Sequence, residues 1–242
     1  MNTTDNSINT SDHQQPVTPS GRMIAVLTGI AMISGFLVVL TSQLTAPFIE
    51  ENQRIAIEQA VSKVIPGSVT HQAYTILDNK ISIAEKGQSG SLIYAGFDAN
   101  GKLLGIASKA AAQGYAGMIY LLYGYDPKCQ CIRGIKVLKL SETPGLGDKI
   151  ITDSHFQKNF DQLDAHLNAE NTKLQNPIIT VKHGTKKEYW EIDAISGATI
   201  SSKAVGKAIN TSAQSLLPTL VPLMQQLKEL SQKKSAQKES EL

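Results

Sequence analysis

Between Met23 and Leu44 the chain runs for 22 residues, MIAVLTGIAMISGFLVVLTSQL, without a charge. As a helix rising about 1.5 Å per residue, this run reaches about 33 Å, enough to cross the hydrocarbon core of a bilayer. It is apolar all round, and Gly29, Ser34 and Gly35 are small residues of the kind membrane helices use. A cleaved signal peptide and a buried helix of a soluble protein are the competing readings. The first normally has a shorter apolar region, and a cut after Leu44-Thr45-Ala46 would leave Pro47 at the new end. An uncleaved anchor fits better. Its flanks do not orient it: Arg22 abuts one end, and Arg54 and Lys63 lie beyond the other.

Around the span the composition changes sharply. Met1–Gly21 is rich in Asn, Thr, Ser, Asp and Gln, with Pro16 and Pro19. It has too little apolar surface to offset its ordering entropy and reads as a disordered tail. The whole chain carries 23 Lys and Arg against 21 Asp and Glu, which gives no concentrated basic face and no case for nucleic acid. Two cysteines cannot make a four-thiolate centre. The five histidines form no HExxH pair, so no metal site is expected.

Beyond the span the pattern is that of an α+β domain with mostly antiparallel strands. Phe48–Ile65 places Ile49, Ile55, Ile57, Ala60, Val61 and Val64 near helical spacing, and Pro66-Gly67 stops it. Leu92–Phe97 and Leu103–Ile106 flank Asp98-Ala99-Asn100-Gly101, a hairpin signal because Asn and Gly tolerate positive φ. Ile119–Tyr125 and Ile132–Leu138 flank Asp126-Pro127 in the same way, a weak internal echo of the first hairpin. Gly114-Tyr115-Ala116-Gly117 lies between the two as a loop. Ile178–Val181 and Tyr189–Ile192 read as a further strand pair, and Ser201–Leu217 as a helix that Pro218 and Pro222 interrupt. Cys129 and Cys131 are one residue apart. A bridge between such close neighbours is strained, so they read first as structural or incidental thiols, with a labile disulfide or an intermolecular contact as the alternatives.

Two stretches carry the chemistry. In Asp193-Ala194-Ile195-Ser196-Gly197-Ala198-Thr199-Ile200-Ser201-Ser202, a strand meets a helix through small residues. Asp193 and Ser196 are natural caps, Gly197 permits close approach, and Thr199 falls near a helix N-terminus, where free N–H groups favour an anion. By itself the stretch reads first as an ordinary capped junction. In Ser141-Glu142-Thr143-Pro144-Gly145-Leu146-Gly147-Asp148-Lys149, proline and two glycines shape a loop with backbone donors, suited to a flat cofactor ring but by itself also a plain connection. Neither GxxxxGK[ST] nor GxGxxG is present.

Taken together, SETPGLGD and, some fifty residues later, DAISGAT resemble the FMN-binding domain of the G subunit of the Rnf ion-translocating electron-transport complex. The C subunit of the sodium-translocating NADH:quinone reductase shares this domain type and is the nearest alternative. An anchored non-redox binding or assembly module is the other. The chain thus reads as a polar tail over residues 1–21, a transmembrane helix over 22–46, a linker helix over 47–66, an FMN-binding domain over 67–231 and a polar tail over 232–242, the long tail before Arg22 being untypical of the family. The resemblance implies FMN joined through its phosphate to Thr199 by a separate flavin transferase, with Asp193, Ser196, Gly197 and Ala198 as the recognition motif and Glu142 and Thr143 beside the flavin ring. Trp190 and Tyr115 are further aromatic neighbours for that ring, although core packing suits both better. The resemblance also implies other membrane subunits as partners, electron transfer of the ferredoxin–NAD type coupled to ion movement, and a single-pass protein of the bacterial inner membrane with its domain on the periplasmic side. The family commonly has Thr where this chain has Ser201.

Overall fold

A computed structural model describes residues 20–85 and 88–240, with side chains for 21–85 and 88–231. All but the last two residues of the tail read over Met1–Gly21 lie outside the described residues, as do the side chains of 232–242. The chain divides into two compact units, one ending at Asn52 and the other beginning at Gln53. Helix α1 (Ser20–Val64) starts in the first and finishes in the second. Its most apolar stretch has a mean hydropathy of 2.5, and none of that stretch is buried within the protein. The hydroxyls of Thr41 and Thr45 donate to the carbonyls of Leu37 and Thr41 at 2.7 and 2.9 Å, so the helix satisfies them internally. Pro47 lies inside α1, which runs without interruption over the residues read as span and linker. A proline removes one ladder bond, which a long helix absorbs as a bend.

In the second unit seven strands form one sheet. They are β1 (Thr70–Leu77), β2 (Lys80–Ile83), β3 (Ser91–Phe97), β4 (Leu103–Gln113), β5 (Met118–Asp126), β6 (Cys131–Lys139) and β7 (Leu163–Asp164). Their order is β2-β1-β3-β4-β5-β6-β7, with every neighbouring pair antiparallel. Both expected hairpins form. Asp98 Oδ1 accepts the N–H groups of Asn100 and Lys102 at 2.9 and 2.8 Å, and Asp126 Oδ1 accepts that of Lys128 at 2.9 Å. The β1–β2 hairpin was not expected; its turn is Asp78-Asn79, with φ of 49° and 57°, a two-residue signal of the same kind. Because β4 continues to Gln113, the Gly114–Gly117 segment is a third hairpin turn, closed by Gly114 N–H donating to Gly117 O at 2.8 Å.

The strands alternate with period two. Ile93, Ile106, Ala110, Ile119, Leu121 and Tyr123 face one core, and Tyr94, Ala107 and Leu122 face the other. The second core is closed by Ala60, Val61 and Val64 at the end of α1. There Gly124 is obligatory: a Cβ would stand 1.9 Å from Val64 O. The first core is closed by helix α4 (Thr199–Ser240) through Ala204, Val205, Ala208 and Ile209. Burying each such aliphatic side chain contributes about 1.5–3 kcal/mol for the larger ones. The buried Tyr123 hydroxyl meets Ser212 Oγ at 3.0 Å and ties sheet to helix; burial pushes its pKa up to about 12.

Three expectations change. Pro218 and Pro222 do not interrupt α4, because Leu216, Leu217, Leu220 and Leu227 are buried on either side of them and packing holds the helix through. Strands β8 (Ile179–Val181) and β9 (Glu191–Asp193) do pair, but in parallel and apart from the main sheet. Cys129 and Cys131 are bridged. Gln130 between them has φ of 49°, which folds the chain and brings the Cα atoms to 5.2 Å, inside the range a disulfide spans. Two short helices, α2 (Lys149–Thr152) and α3 (Ser154–Lys158), lead from the loop after β6 toward β7.

Candidate functional site

The loop leaving β6 is shaped by its own backbone. The N–H groups of Leu146 and Gly147 both donate to Thr143 O at 3.2 Å, and Gly145 takes φ of 78°. This compact turn points Glu142 at two other segments. Glu142 Oε2 accepts the Tyr115 N–H at 3.3 Å, and Oε1 accepts the Ala116 N–H at 3.2 Å, so the carboxylate closes over the β4–β5 turn. The Ser201 hydroxyl, in the first turn of α4, donates to Oε2 as well. One side chain therefore holds three segments together. Burial raises the Glu142 carboxyl pKa, but the hydrogen bonds from Ser201 and from the N–H groups of Ala116, Tyr115 and Gly117 outweigh it and hold the group below its ordinary value. Glycine is needed on both flanks: a Cβ on Gly114 would fall 2.4 Å from Glu142 Oε1, and one on Gly147 2.5 Å from Oε2 and 2.7 Å from Ser201 Oγ.

The second segment enters from β9. Asp193 is buried, and its backbone is gripped by the side-chain amide of Asn159, which accepts from Asp193 N at 3.0 Å and donates to Asp193 O at 3.2 Å. Lys186 Nζ donates to the same Asn159 oxygen at 3.1 Å. Asp193 Oδ1 accepts the Gly184 N–H at 2.7 Å, and Oδ2 lies 3.7 Å from His183 Nδ1 and 3.9 Å from His155 Nε2. Ala194 N–H donates to Val181 O at 3.1 Å, and Ile195 N–H to Ser202 Oγ at 3.1 Å. Every backbone N–H from Asp193 to Ile195 is thus held from outside, and the chain arrives at the turn in one position.

From Ser196 onward the accounting reverses. Ser196 and Gly197 are exposed, Gly197 has φ of 82°, and no atom lies within 4 Å of where its Cβ would be. Ala198 fills the N-cap place, its carbonyl accepting from Ser202 N–H at 2.9 Å, and it has no side chain with which to cap. Thr199 is the first residue of α4 and is partly exposed. Among the described residues the N–H groups of Thr199, Ile200 and Ser201 meet no acceptor. The caps expected at Asp193 and Ser196 do not form: Asp193 is engaged with Gly184, and Ser196 hydrogen-bonds none of these amides. The motif therefore divides. Asp193 anchors it from behind, while Ser196, Gly197, Ala198 and Thr199 form the turn in front.

These residues suit a flavin phosphate. Open amides and the positive end of a long helix favour a phosphate beside the Thr199 hydroxyl. Glu142 and Thr143 reach the same place differently. Glu142 is spent on the clamp, and Thr143 is exposed, with its carbonyl closing the turn. Tyr115 is not core-packed but 70% exposed, whereas Trp190 is partly buried. Reading the sequence missed Asn159 and the Ser201–Glu142 bond, since their partners lie 34 and 59 residues away.

A family model for the FMN-binding domain matches residues 114–214, from the turn beneath Glu142 into α4. The chain is 30% identical over 191 residues to the G subunit of an ion-translocating oxidoreductase complex from Methanosarcina acetivorans, covering 79% of this chain and 91% of that protein. It is 31% identical over 194 residues to the G subunit of the Na(+)-translocating ferredoxin:NAD(+) oxidoreductase complex of Acetobacterium woodii, covering 78% and 87%. Among solved structures, the C subunit of a Na(+)-translocating NADH-quinone reductase from Parabacteroides distasonis superposes with a TM-score of 0.55 over 70% of this chain and 94% of that one, at 17% identity, a likeness of fold.

Proposed function

The chain belongs to the family of G subunits of the Rnf-type ion-translocating oxidoreductase complexes, and on that premise we propose that Thr199 carries FMN as a phosphoester and that the domain relays electrons on the far side of the membrane from the cytoplasm. The protein is a membrane-anchored flavoprotein subunit of such a complex, not an enzyme that turns over alone. Bound FMN supplies one- and two-electron redox chemistry. The chain's own residues position it. The Thr199 hydroxyl attacks the flavin-side phosphorus of FAD on a separate flavin transferase, the pyrophosphate bond breaks, AMP leaves with the displaced oxygen, and the hydroxyl proton is lost. The amides of Thr199, Ile200 and Ser201 would hold the phosphoryl group, and Gly197 would leave room for it. Asp193 holds the recognition turn in place. Glu142 and Thr143 shape the loop beside the flavin.

The observation that carries this reading is the open first turn of α4 on a backbone otherwise fixed from Asp193 to Ile195. Orientation is supported by the Cys129–Cys131 bridge, since disulfides persist in oxidising compartments and are rare in the cytosol. We take α1 as the single span and the remaining subunits of the complex as partners, with electron exchange of the ferredoxin–NAD type. Likeness to the sodium-pump protein is one of fold, and the relatives at 30% identity and above favour the Rnf-type assignment. Co-expression of the full chain with a flavin transferase, followed by a denaturing gel, tests the proposal. A fluorescent band is expected that Thr199→Ala abolishes entirely; a band that survives the substitution contradicts it.

A further inference from the structure

The face of the sheet that meets the end of α1 is covered over only part of its length. Where α1 ends on it, the strands supply a seat of glycines. A Cβ would stand 2.9 Å from Ile65 at Gly96, 3.1 Å from Ile65 at Gly105 and 1.9 Å from Val64 O at Gly124. Two residues farther along the same strands, Tyr94, Ala107 and Leu122 complete that buried contact. Beyond them the face is open. By alternation its next residues are Leu92, Lys109, Ala111, Tyr120 and Met118, and all five are exposed. A sheet face that meets water carries polar side chains at such places. Here the large apolar ones, Leu92, Met118 and Tyr120, are 36%, 38% and 43% exposed. The register sets Tyr120 between Ala111 and Lys139, and it flanks Leu122 with Lys109 and Lys136. The Lys109 ammonium lies 6.0 Å from the centroid of the Tyr94 ring, and burial lowers its pKa. Among the described residues of β1–β6 the sole carboxylate is Asp126, at the far end of β5, opposite Cys131.

We propose that this open part of the face, centred on Tyr120 and bordered by Lys109, Lys136 and Lys139, docks an apolar surface edged with Asp and Glu on another subunit of the oxidoreductase complex. The inference rests on the reading given above that such subunits are partners, and it does not depend on Thr199. An exposed apolar strip with a polar border marks an association surface. Tyr and Met are enriched in the core of such surfaces, and charged groups belong to the rim. A rim of one sign selects a partner of the other. A second copy of this face would set lysine against lysine, so the site does not suit self-pairing. The packing also separates this occupant from the protein's own helix. Glycines let α1 reach the strand backbone, whereas Leu92, Tyr120 and Met118 hold any occupant at their tips, as the surface of a separate body is met.

The full chain, made in its own host with a benzophenone amino acid in place of Tyr120 and illuminated before the complex is purified, tests the proposal. It is expected to cross-link to one other subunit of the complex, at a segment rich in Asp and Glu. Lys136→Glu with Lys139→Glu is expected to lower the share of the chain that co-purifies with the complex by about tenfold or more. Lys136→Gln with Lys139→Gln is expected to lower it less, and this milder pair keeps the test valid where charge reversal disturbs folding. Melting temperature and flavin loading of the detergent-solubilised chain are expected to stay unchanged in the milder pair. Cross-links only to lipid, only to a second copy or to no subunit overturn the inference, as does co-purification that ignores both pairs of substitutions. A chain that assembles with no other subunit in its host overturns the partner reading as well.

Discussion

The loop at Ser141–Lys149 and the turn at Asp193–Ser202 use their polar groups in opposite ways. In the loop, the Glu142 carboxylate takes donors from the β4–β5 turn and from α4, and the Thr143 carbonyl takes two more from the loop itself. In the turn, the backbone is secured up to Ile195 and then left open, with three successive N–H groups free beside the Thr199 hydroxyl. One segment spends its polar groups on fixing a loop, and the other leaves them open. Position in a motif therefore does not reveal which task a residue has. Asp193 and Thr199 belong to one short run, yet the first is buried and hydrogen-bonded and the second is partly exposed.

Gly147→Ala strikes hardest at this division. The added methyl falls 2.5 Å from Glu142 Oε2 and 2.7 Å from Ser201 Oγ, so the clamp must open. Overpacking of this kind costs about 1–3 kcal/mol. Thermal unfolding should show that loss, and in vitro flavin loading should slow with it; an unchanged melting temperature would mean the clamp is not tight. Glu142→Gln comes next, at about 1–2 kcal/mol for weakened charge-assisted bonds, trimmed because the group is partly exposed. It also has a pH signature. The folded carboxyl titrates below its unfolded value, so its stabilisation is complete above the ordinary carboxylate pKa of about 4.3 and is lost as pH falls through the lower folded value. The wild type should lose stability in that acid window relative to Glu142→Gln; parallel pH profiles would contradict the clamp. Smallest of all is Ser196→Ala. A serine N-cap would cost about 1 kcal/mol to remove. With no cap bond in place, the change should stay within about 0.5 kcal/mol, and a larger loss in chemical denaturation would restore Ser196 as a cap.

Much of the fold can be read from local chemistry. Asp98–Gly101 and Asp126-Pro127 announce their hairpins because the turn residues supply their own acceptors and tolerate the required φ. The start of α4 is visible for the same reason, as a cluster of small residues between a strand and an apolar helical stripe. The Asp78-Asn79 turn has an equally local signal but is flanked by the short, partly exposed β2, whose alternation is too brief to notice. What is hidden is the wiring between segments. Glu142 bonds residues 26, 27 and 59 positions away, and Asn159 grips Asp193 across 34. Nothing in the neighbourhood of either residue forecasts its partners. The prolines of α4 mislead for a related reason: their local cost is offset by burial of leucines in the core that α4 shares with the sheet.

Intact-mass measurement of the protein isolated from its own host, followed by peptide mapping, tests the central claim most directly. The chain should be heavier by one FMN less one water, with the added mass on the peptide that contains Thr199. An unmodified Thr199 in mature, complex-bound protein would contradict it.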